Sequence, residues 1–379
     1  MKRKNIFFIW YQQIDIISFV LILTIMCFGI LLIATASPPI AEKLNLQTSY
    51  FIKRQLIYLF ISIISIIFLS FINEKMLKRL SLLGFILIIA SMIILLFIGV
   101  ETKGAKRWIN IFGFSFQPSE FLKPFYTIII SIILSQKNTT TANRNNFIIC
   151  MFINAFVIML LMLQPDFGMT ISITVVTIAQ LFIAGLRLSR LIIIFTIVSF
   201  CSFAAYLFFP HITTRIDKFL SSSNKVNYQV EKSLESYVTG GLTGKGPGEG
   251  NLKFVLPDSH TDFIFAVAGE EFGTLFCILI IGLFAFFIIR GLFNLTNLNN
   301  LFHMYASFGL LMYYSIQAIF NIGVTLNLFP TKGMTLPFIS YGGSSMLACS
   351  IAAGIYLNFT RKNLEKSNYI TSRSVYVNH

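Results

Sequence analysis

The chain has 379 residues, 56% of them hydrophobic and only 12% charged, with a formal net charge of +14. Its mean hydropathy is +0.78, and because soluble domains carry about 25% charged residues, a soluble fold is excluded. The basic excess is dispersed along the sequence instead of gathered into one surface, which excludes nucleic acid as a partner and fits membrane lipids and an anionic substrate.

Apolar runs of the length needed to cross roughly 30 Å of hydrocarbon recur ten times. They lie near 15–37, 54–73, 79–99, 119–136, 147–164, 168–185, 189–209, 262–289, 302–328 and 343–360. The predicted fold class is therefore an all-α integral membrane protein of about ten transmembrane helices. Lys and Arg cluster at the N-terminus (Lys2, Arg3, Lys4), in alternate short connections (Lys75, Lys78, Arg79; Lys137, Arg144; Arg187, Arg190) and after the last run (Arg361, Lys362, Lys366). The positive-inside rule puts these stretches and both termini in the cytoplasm. Residues 1–14 then form a cytoplasmic segment and 15–360 one polytopic domain, with a long extracytoplasmic loop (210–261) between helices seven and eight; 361–379 form a cytoplasmic tail. The first run reads as a true helix and not as a cleaved leader. The five cysteines, Cys27, Cys150, Cys201, Cys277 and Cys349, lie in or beside apolar runs without a CxxC pair, and read as small core residues.

Most acids fall in the predicted outer connections, so chemistry is expected outside. The second of these runs GAKRWINIFGFSFQPSEFLKP from Gly104 to Pro124. Arg107 and Trp108 make an interfacial cation and aromatic anchor, and Pro118 starts a helix with Glu120 in its first turn. Glu120 and Lys123, three apart, share a face as an ion pair, serving structure, the site, or both. In Gln164-Pro165-Asp166-Phe167-Gly168, Asp166 reads as a helix N-cap.

The 210–261 loop contains Gly240-Gly241-Leu242-Thr243-Gly244-Lys245-Gly246-Pro247-Gly248-Glu249-Gly250. Exposed backbone N–H groups with Lys245 could cradle a pyrophosphate, or the stretch is a flexible loop; it is not a Walker A loop, since Gly246 follows Lys245. Then comes LPDSHTDFIFAVAGEEFG, from Leu256 to Gly273, with Asp258, His260, Asp262, Glu270 and Glu271 at the mouth of an apolar run. Carboxylates there cost roughly 2.5–3.5 kcal/mol on insertion and mark function. Three candidate ligands within five residues, with no distant fourth, make a weak metal signal, and no metal site is predicted. Asp262 is the better general base, ionised beside His260 and Thr261 yet partly desolvated. Ala266 and Glu270 are expected on its stripe, whereas Glu271 points away and needs its own partner. Finally, the Gly- and Pro-broken stretch from Pro330 to Ser345, with Ser340 in it and Gln317 and Asn321 on the preceding helix, builds a polar wall of irregular backbone, tolerated at membrane depth only where buried or lining a cavity.

Taken in order, GAKRWI, QPSEFLKP, QPDFG, GKGPGEG, LPDSHTDFIFAVAGEEFG and PTKGMTLPFISYGGSS resemble the motifs of the SEDS family of bacterial cell-wall proteins from about Trp10 to Arg361. ASPPIAEKLNL and the Lys332-containing PTKG stretch are more similar to the division branch than to the elongation branch. The resemblance implies a ten-helix peptidoglycan glycosyltransferase of the inner membrane, at the division septum. It would polymerise lipid II with a class b penicillin-binding protein and other division proteins as partners. By motif, Asp262 matches the family's essential aspartate, Glu120 and Lys123 its acid and base, and Arg107 and Trp108 its Arg-Trp pair. The chain departs at Asn327, where relatives commonly have Gly, and at Asp258, where many have Glu.

The expected mechanism has Asp262 accept the proton of an acceptor sugar's 4-hydroxyl while undecaprenyl pyrophosphate leaves. Arg107, Lys123 and Lys245 are candidate cations for the pyrophosphate, with Trp108, His260, Thr261 and Ser340 as further substrate contacts. No cofactor is required, and a divalent cation (Mg²⁺ or Mn²⁺) is compatible. The rivals are a lipid II flippase, which needs a continuous polar path through the membrane, and a non-catalytic scaffold of the division machinery, which would tolerate a neutral residue at 262.

Overall fold

The computed structural model describes residues 6–102, 105–111, 114–136, 140–208, 213, 217, 228–256, 258–330 and 333–361. Each of the ten apolar runs appears as helix. A short α1 (Ile6–Gln13) precedes α2 (Ile16–Ala36), and α3 (Pro38–Lys43) follows the C-terminal end of that helix. Then follow α4 (Tyr50–Phe71), α5 (Glu74–Ile98), α6 (Pro118–Leu134), α7 (Thr140–Leu163), α8 (Phe167–Ile183) and α9 (Leu188–Phe208). Asp166 starts α8 as the N-cap expected of it, its side chain accepting from Met169 N at 3.1 Å, and Asn73 caps α5 in the same way, accepting from Met76 N at 2.8 Å. At the far end of α4, Asn358 donates to the carbonyls of Leu69, Ser70 and Ile72, relieving carbonyls that have no partner within the helix.

Between α5 and α6 the helical class gains a small antiparallel sheet, β1 (Val100–Thr102), β2 (Ala105–Ile111) and β3 (Phe114–Phe116), in that order. It is fastened to the bundle by Gln117, whose N–H donates to Ser344 Oγ at 3.0 Å, and by Ser344 Oγ donating to Ser115 O.

The described part of the long outer loop holds α10 (Tyr228–Gly240) and α11 (Leu252–Val255); the rest of 209–227 lies outside the described residues. The predicted span 262–289 is the largest departure from expectation. It is two helices, α12 (Ile264–Glu271) and α13 (Gly273–Leu295), broken at Gly273, whose φ of +81° only glycine adopts freely. Every residue of α12 is buried, wedged between α2, α10, α13 and α14 (Leu301–Thr325). The crossing helix starts eleven residues later than expected and runs on to Leu295, so Arg290 falls within it and meets Asp15 through three hydrogen bonds. Burial alone would raise the Asp15 carboxyl, but hydrogen bonds from Arg290, Ser18 and Asn294 outweigh it and leave it lowered.

The last helix, α15 (Gly343–Phe359), runs along α4, and α14 packs against α6, α8, α13 and α15. Among the six helices long and apolar enough to cross a membrane, α14 is the most enclosed, which is why it can carry Gln317 and Asn321. Many hydroxyls inside the bundle are satisfied locally: Thr127, Ser131, Thr170, Ser172, Thr174 and Thr177 each donate to the carbonyl four residues back. Cys150, Cys277 and Cys349 are buried free thiols and Cys27 an exposed one; the Cys201 side chain lies outside the described residues.

Candidate functional site

Asp262 ends a tight turn ahead of α12 and is partly exposed, whereas its neighbours on the helix side are buried. The turn is built on Asp258, whose backbone is left-handed at φ +58°. Its carbonyl accepts from the N–H groups of Thr261, Asp262 and Phe263. Asp tolerates that conformation better than most residues, so Asp in place of the family's Glu suits the turn. The same reasoning covers Asn327, at φ +60°: Asn is the common non-glycine in this region.

The segment from Gly333 to Tyr341 lies against the turn in register. Ser340 Oγ donates to Thr261 O at 2.6 Å and accepts from Leu336 N at 2.8 Å, and Tyr341 N donates to His260 O at 2.9 Å. Gly333 passes close enough that a Cβ on it would sit 3.2 Å from an Asp262 carboxylate oxygen. The His260 ring sits between Phe51 at 4.8 Å and Tyr341 at 5.3 Å. Burial pushes the Tyr341 phenol up to about 12, against a lowering influence from Arg54, so it stays neutral as a polar wall. His260, Thr261, Asp262 and Ser340 thus form one cluster. Arg54, on the first turn of α4 beside Tyr50, was not anticipated; the signal was the Lys53-Arg54 pair opening an apolar run.

This segment is held in place by two devices. Phe338 adopts φ +64°, a strained conformation for a bulky side chain, and stacks on Tyr314 at 5.7 Å between centroids. Gly29 of α2 makes room: a Cβ there would lie 2.3 Å from Phe338 O. From the other side, Gln317 donates to Thr335 O and Oγ1 at 2.8 and 3.0 Å, and Asn321 donates to Met334 O at 2.6 Å and to Asp262 O at 2.9 Å.

The predicted cations are engaged elsewhere. Lys123 is 3% exposed, bonded to Glu120 at 3.0 Å and Gln317 at 3.1 Å. It borders a cavity of about 10 Å³, the space of one water. Arg107 on β2 donates to Gln164 O at 2.9 Å and to Pro165 O, with Asp166 at 3.8 Å. It pins the hairpin to the turn before α8, while Trp108 remains exposed beside it.

Lys245 lies at the opposite end of α12 from Asp262, about 12 Å away for eight residues at 1.5 Å each. It pairs with Glu270 at 2.8 Å. The glycine-rich loop does form an anion nest, but the chain's own glutamates fill it. Glu270 accepts from Asn251 N and Leu252 N, Glu271 from Gly248 N, and Lys253 supplies Glu271's partner at 2.6 Å. Because the helix begins only at Ile264, Glu270 does not continue the Asp262 stripe but turns into this knot. Among the described residues, no group of three or more His, Cys, Asp or Glu side chains could hold a metal ion.

A closed helical bundle, with one partly exposed carboxylate presented by a broken helix and an irregular segment, defines a membrane enzyme that works on a membrane-borne substrate at the surface. The chain belongs to the FtsW/RodA/SpoVE family of cell cycle proteins, whose match spans residues 15–365. It is 38% identical over 337 residues to the probable peptidoglycan glycosyltransferase FtsW of Caulobacter vibrioides, covering 88% of this chain and 86% of that one. To its namesake in Coxiella burnetii it is 35% identical over 348 residues, covering 88% and 93%. Among solved structures, a chain of a peptidoglycan synthase complex that coordinates polymerization and crosslinking superposes with a TM-score of 0.76 at 22% identity, covering 92% of this chain and 97% of that one. The rod shape determining protein RodA of Thermus thermophilus gives 0.69 at 22% identity, covering 92% and 96%. Both share the fold.

Proposed function

We infer that this chain is a multi-pass peptidoglycan glycosyltransferase of a bacterial membrane, of the FtsW kind. The observation that carries the site is the pinning of partly exposed Asp262 between His260, Ser340 and Asn321, in register with the Gly333–Tyr341 segment. In our reading the substrate is lipid II. Asp262 takes the proton from the 4-hydroxyl of the acceptor sugar as that oxygen attacks the anomeric carbon of the donor. The anomeric C–O bond breaks, and undecaprenyl pyrophosphate leaves with the bonding pair. A positioned base contributes typically 10²- to 10⁴-fold, so orientation and charge neutralisation at the pyrophosphate must lower the remaining barrier. Arg54, which meets Tyr341 at the rim of the cluster, joins Arg107, Lys123 and Lys245 as a candidate for that neutralisation. A divalent cation, Mg²⁺ or Mn²⁺, is compatible with this scheme and not required by it.

Both termini are assigned to the cytoplasm and the Asp262 cluster to the outer face, with a division-type class b penicillin-binding protein as crosslinking partner at the septum. The enzyme is favoured over a carrier because the interior polar side chains around Thr127, Asn154, Thr177 and Gln180 bond to one another and to backbone. The test is glycan-chain formation from purified lipid II by the protein reconstituted with its transpeptidase. Wild type is expected to polymerise, and Asp262→Asn to fold, assemble and make no polymer. Polymer from the variant would move the base elsewhere, and movement of lipid II across vesicles without polymer would support the carrier.

A further inference from the structure

We propose that Asn321 is a positioning residue for Asp262, acting through its amide N–H groups alone; this rests on Asp262 as the base. Asn321 lies one turn after Gln317 on α14 and is 1% exposed. Its Nδ2 donates at once to Asp262 O, at 2.9 Å, and to Met334 O, at 2.6 Å. One planar amide therefore joins the turn that carries the base to the segment that walls it, fixing their separation. Both partners are carbonyls, so the amide's orientation is settled by them. Its other end is telling: Oδ1 is buried and, among the described residues, has no hydrogen-bond partner. Buried polar atoms in native proteins are nearly always paired, and an unpaired acceptor opposes stability. A residue chosen for packing would not carry that burden, whereas one chosen for two donors must.

Gln317 works in parallel, four residues earlier on the same face. It takes Lys123's donor on Oε1 and gives both of its own to Thr335. The consecutive residues Met334 and Thr335 are thus held by consecutive turns of α14, but only Asn321 also reaches the base. Misplacing a catalytic group by about 1 Å can cost on the order of 10²-fold in rate without weakening substrate binding.

The experiment compares Asn321→Leu, which keeps the volume and removes the donors, with Asn321→Ser, which loses volume and keeps a donor. Wild type and Asp262→Asn run alongside, in the reconstituted complex with lipid II. The leucine variant is expected to lose about 10- to 100-fold in kcat with KM unchanged, and serine to retain more rate than leucine. Rates are taken per folded protein, fixed by thermal unfolding in detergent; should leucine fail to assemble, Asn321→Ala replaces it in the same comparison. Leucine outperforming serine, or a loss confined to KM or to unfolding temperature, would reduce Asn321 to a packing residue. That failure is separable from failure of the base assignment, which is read only from polymer made by Asp262→Asn.

Discussion

The two ends of α12 carry acids of the same kind put to opposite uses. At its C-terminal end Glu270 and Glu271 are each 1% exposed, and each is matched by a lysine and by backbone N–H groups from the glycine-rich loop. At its N-terminal end Asp262 stays partly exposed, and the groups holding its turn, Asn321 and the segment through Ser340, grip its backbone or its neighbours' carbonyls. A carboxylate saturated by cations and N–H groups has nothing left to give a substrate. One that stays partly exposed, on a turn fixed through backbone contacts, is held where a substrate can reach it. Burial depth alone would have ranked the glutamates as the more interesting pair; what their oxygens are bonded to reverses that order.

The comparison breaks most sharply if the two ends answer alike to neutralisation. Asp262→Asn is expected to take polymerisation below detection, a loss of 10²- to 10⁴-fold or more, while leaving the unfolding temperature in detergent unchanged. Glu271→Gln should do the reverse first. It leaves Lys253, 4% exposed, as an unpaired buried charge, a situation that costs about 3–5 kcal/mol. The double variant Glu271→Leu with Lys253→Met removes both charges and should recover much of that loss. If the single change left the unfolding temperature where it was, the knot would not be a structural device, and its glutamates would have to be considered for catalysis.

How much of this contrast could be read from residues alone depends on the range of the interaction. Hydropathy located all ten apolar runs because the membrane demands it of each segment separately, and the Asn73 and Asp166 caps are local. The break at Gly273 was invisible: GEEFGTLF is followed by unbroken apolar sequence, and a single glycine in such a run signals nothing until its φ is known. The glycine-rich loop read equally as a phosphate cradle or a flexible loop, and the glutamates that meet it stand some twenty residues away in sequence, beyond the reach of pattern. Likewise Gln317 and Asn321 were legible as polar residues on one helix, whereas their partners Thr335, Met334 and Asp262 are products of tertiary folding. The sheet from Val100 to Phe116 has only the short alternation in RWINIFGFSF to signal it, set between charged residues and a helix start that dominate the local pattern.

The segment facing Asp262 offers a gentler way to sharpen the comparison. Gly29→Ala places a Cβ 2.3 Å from Phe338 O, and overpacking of this kind costs about 1–3 kcal/mol. The strain falls on Phe338 and its neighbours, so kcat is expected to fall along with stability, while the Glu270 and Glu271 knot stays intact. Hydrogen exchange should quicken across 333–341 and not across 244–252; a uniform response would mean that the two ends of α12 are mechanically one unit.

The smallest effect tests the knot's last claim on chemistry. The Lys245 side chain is 34% exposed and bonded to Glu270 at 2.8 Å. Only the lysine of this pair reaches water; that screening limits its contribution to about 1 kcal/mol, and Glu270, itself buried, would keep its two backbone donors without it. Lys245→Met should therefore lower stability only slightly and leave kcat/KM for lipid II within about a factor of five. A lysine that neutralised the departing pyrophosphate would behave differently. Removing it would withdraw charge from the transition state, and kcat would drop by about 10²-fold or more at unchanged stability. That result would mean that Lys245 leaves Glu270 when substrate binds, turning a structural nest into a phosphate cradle during turnover.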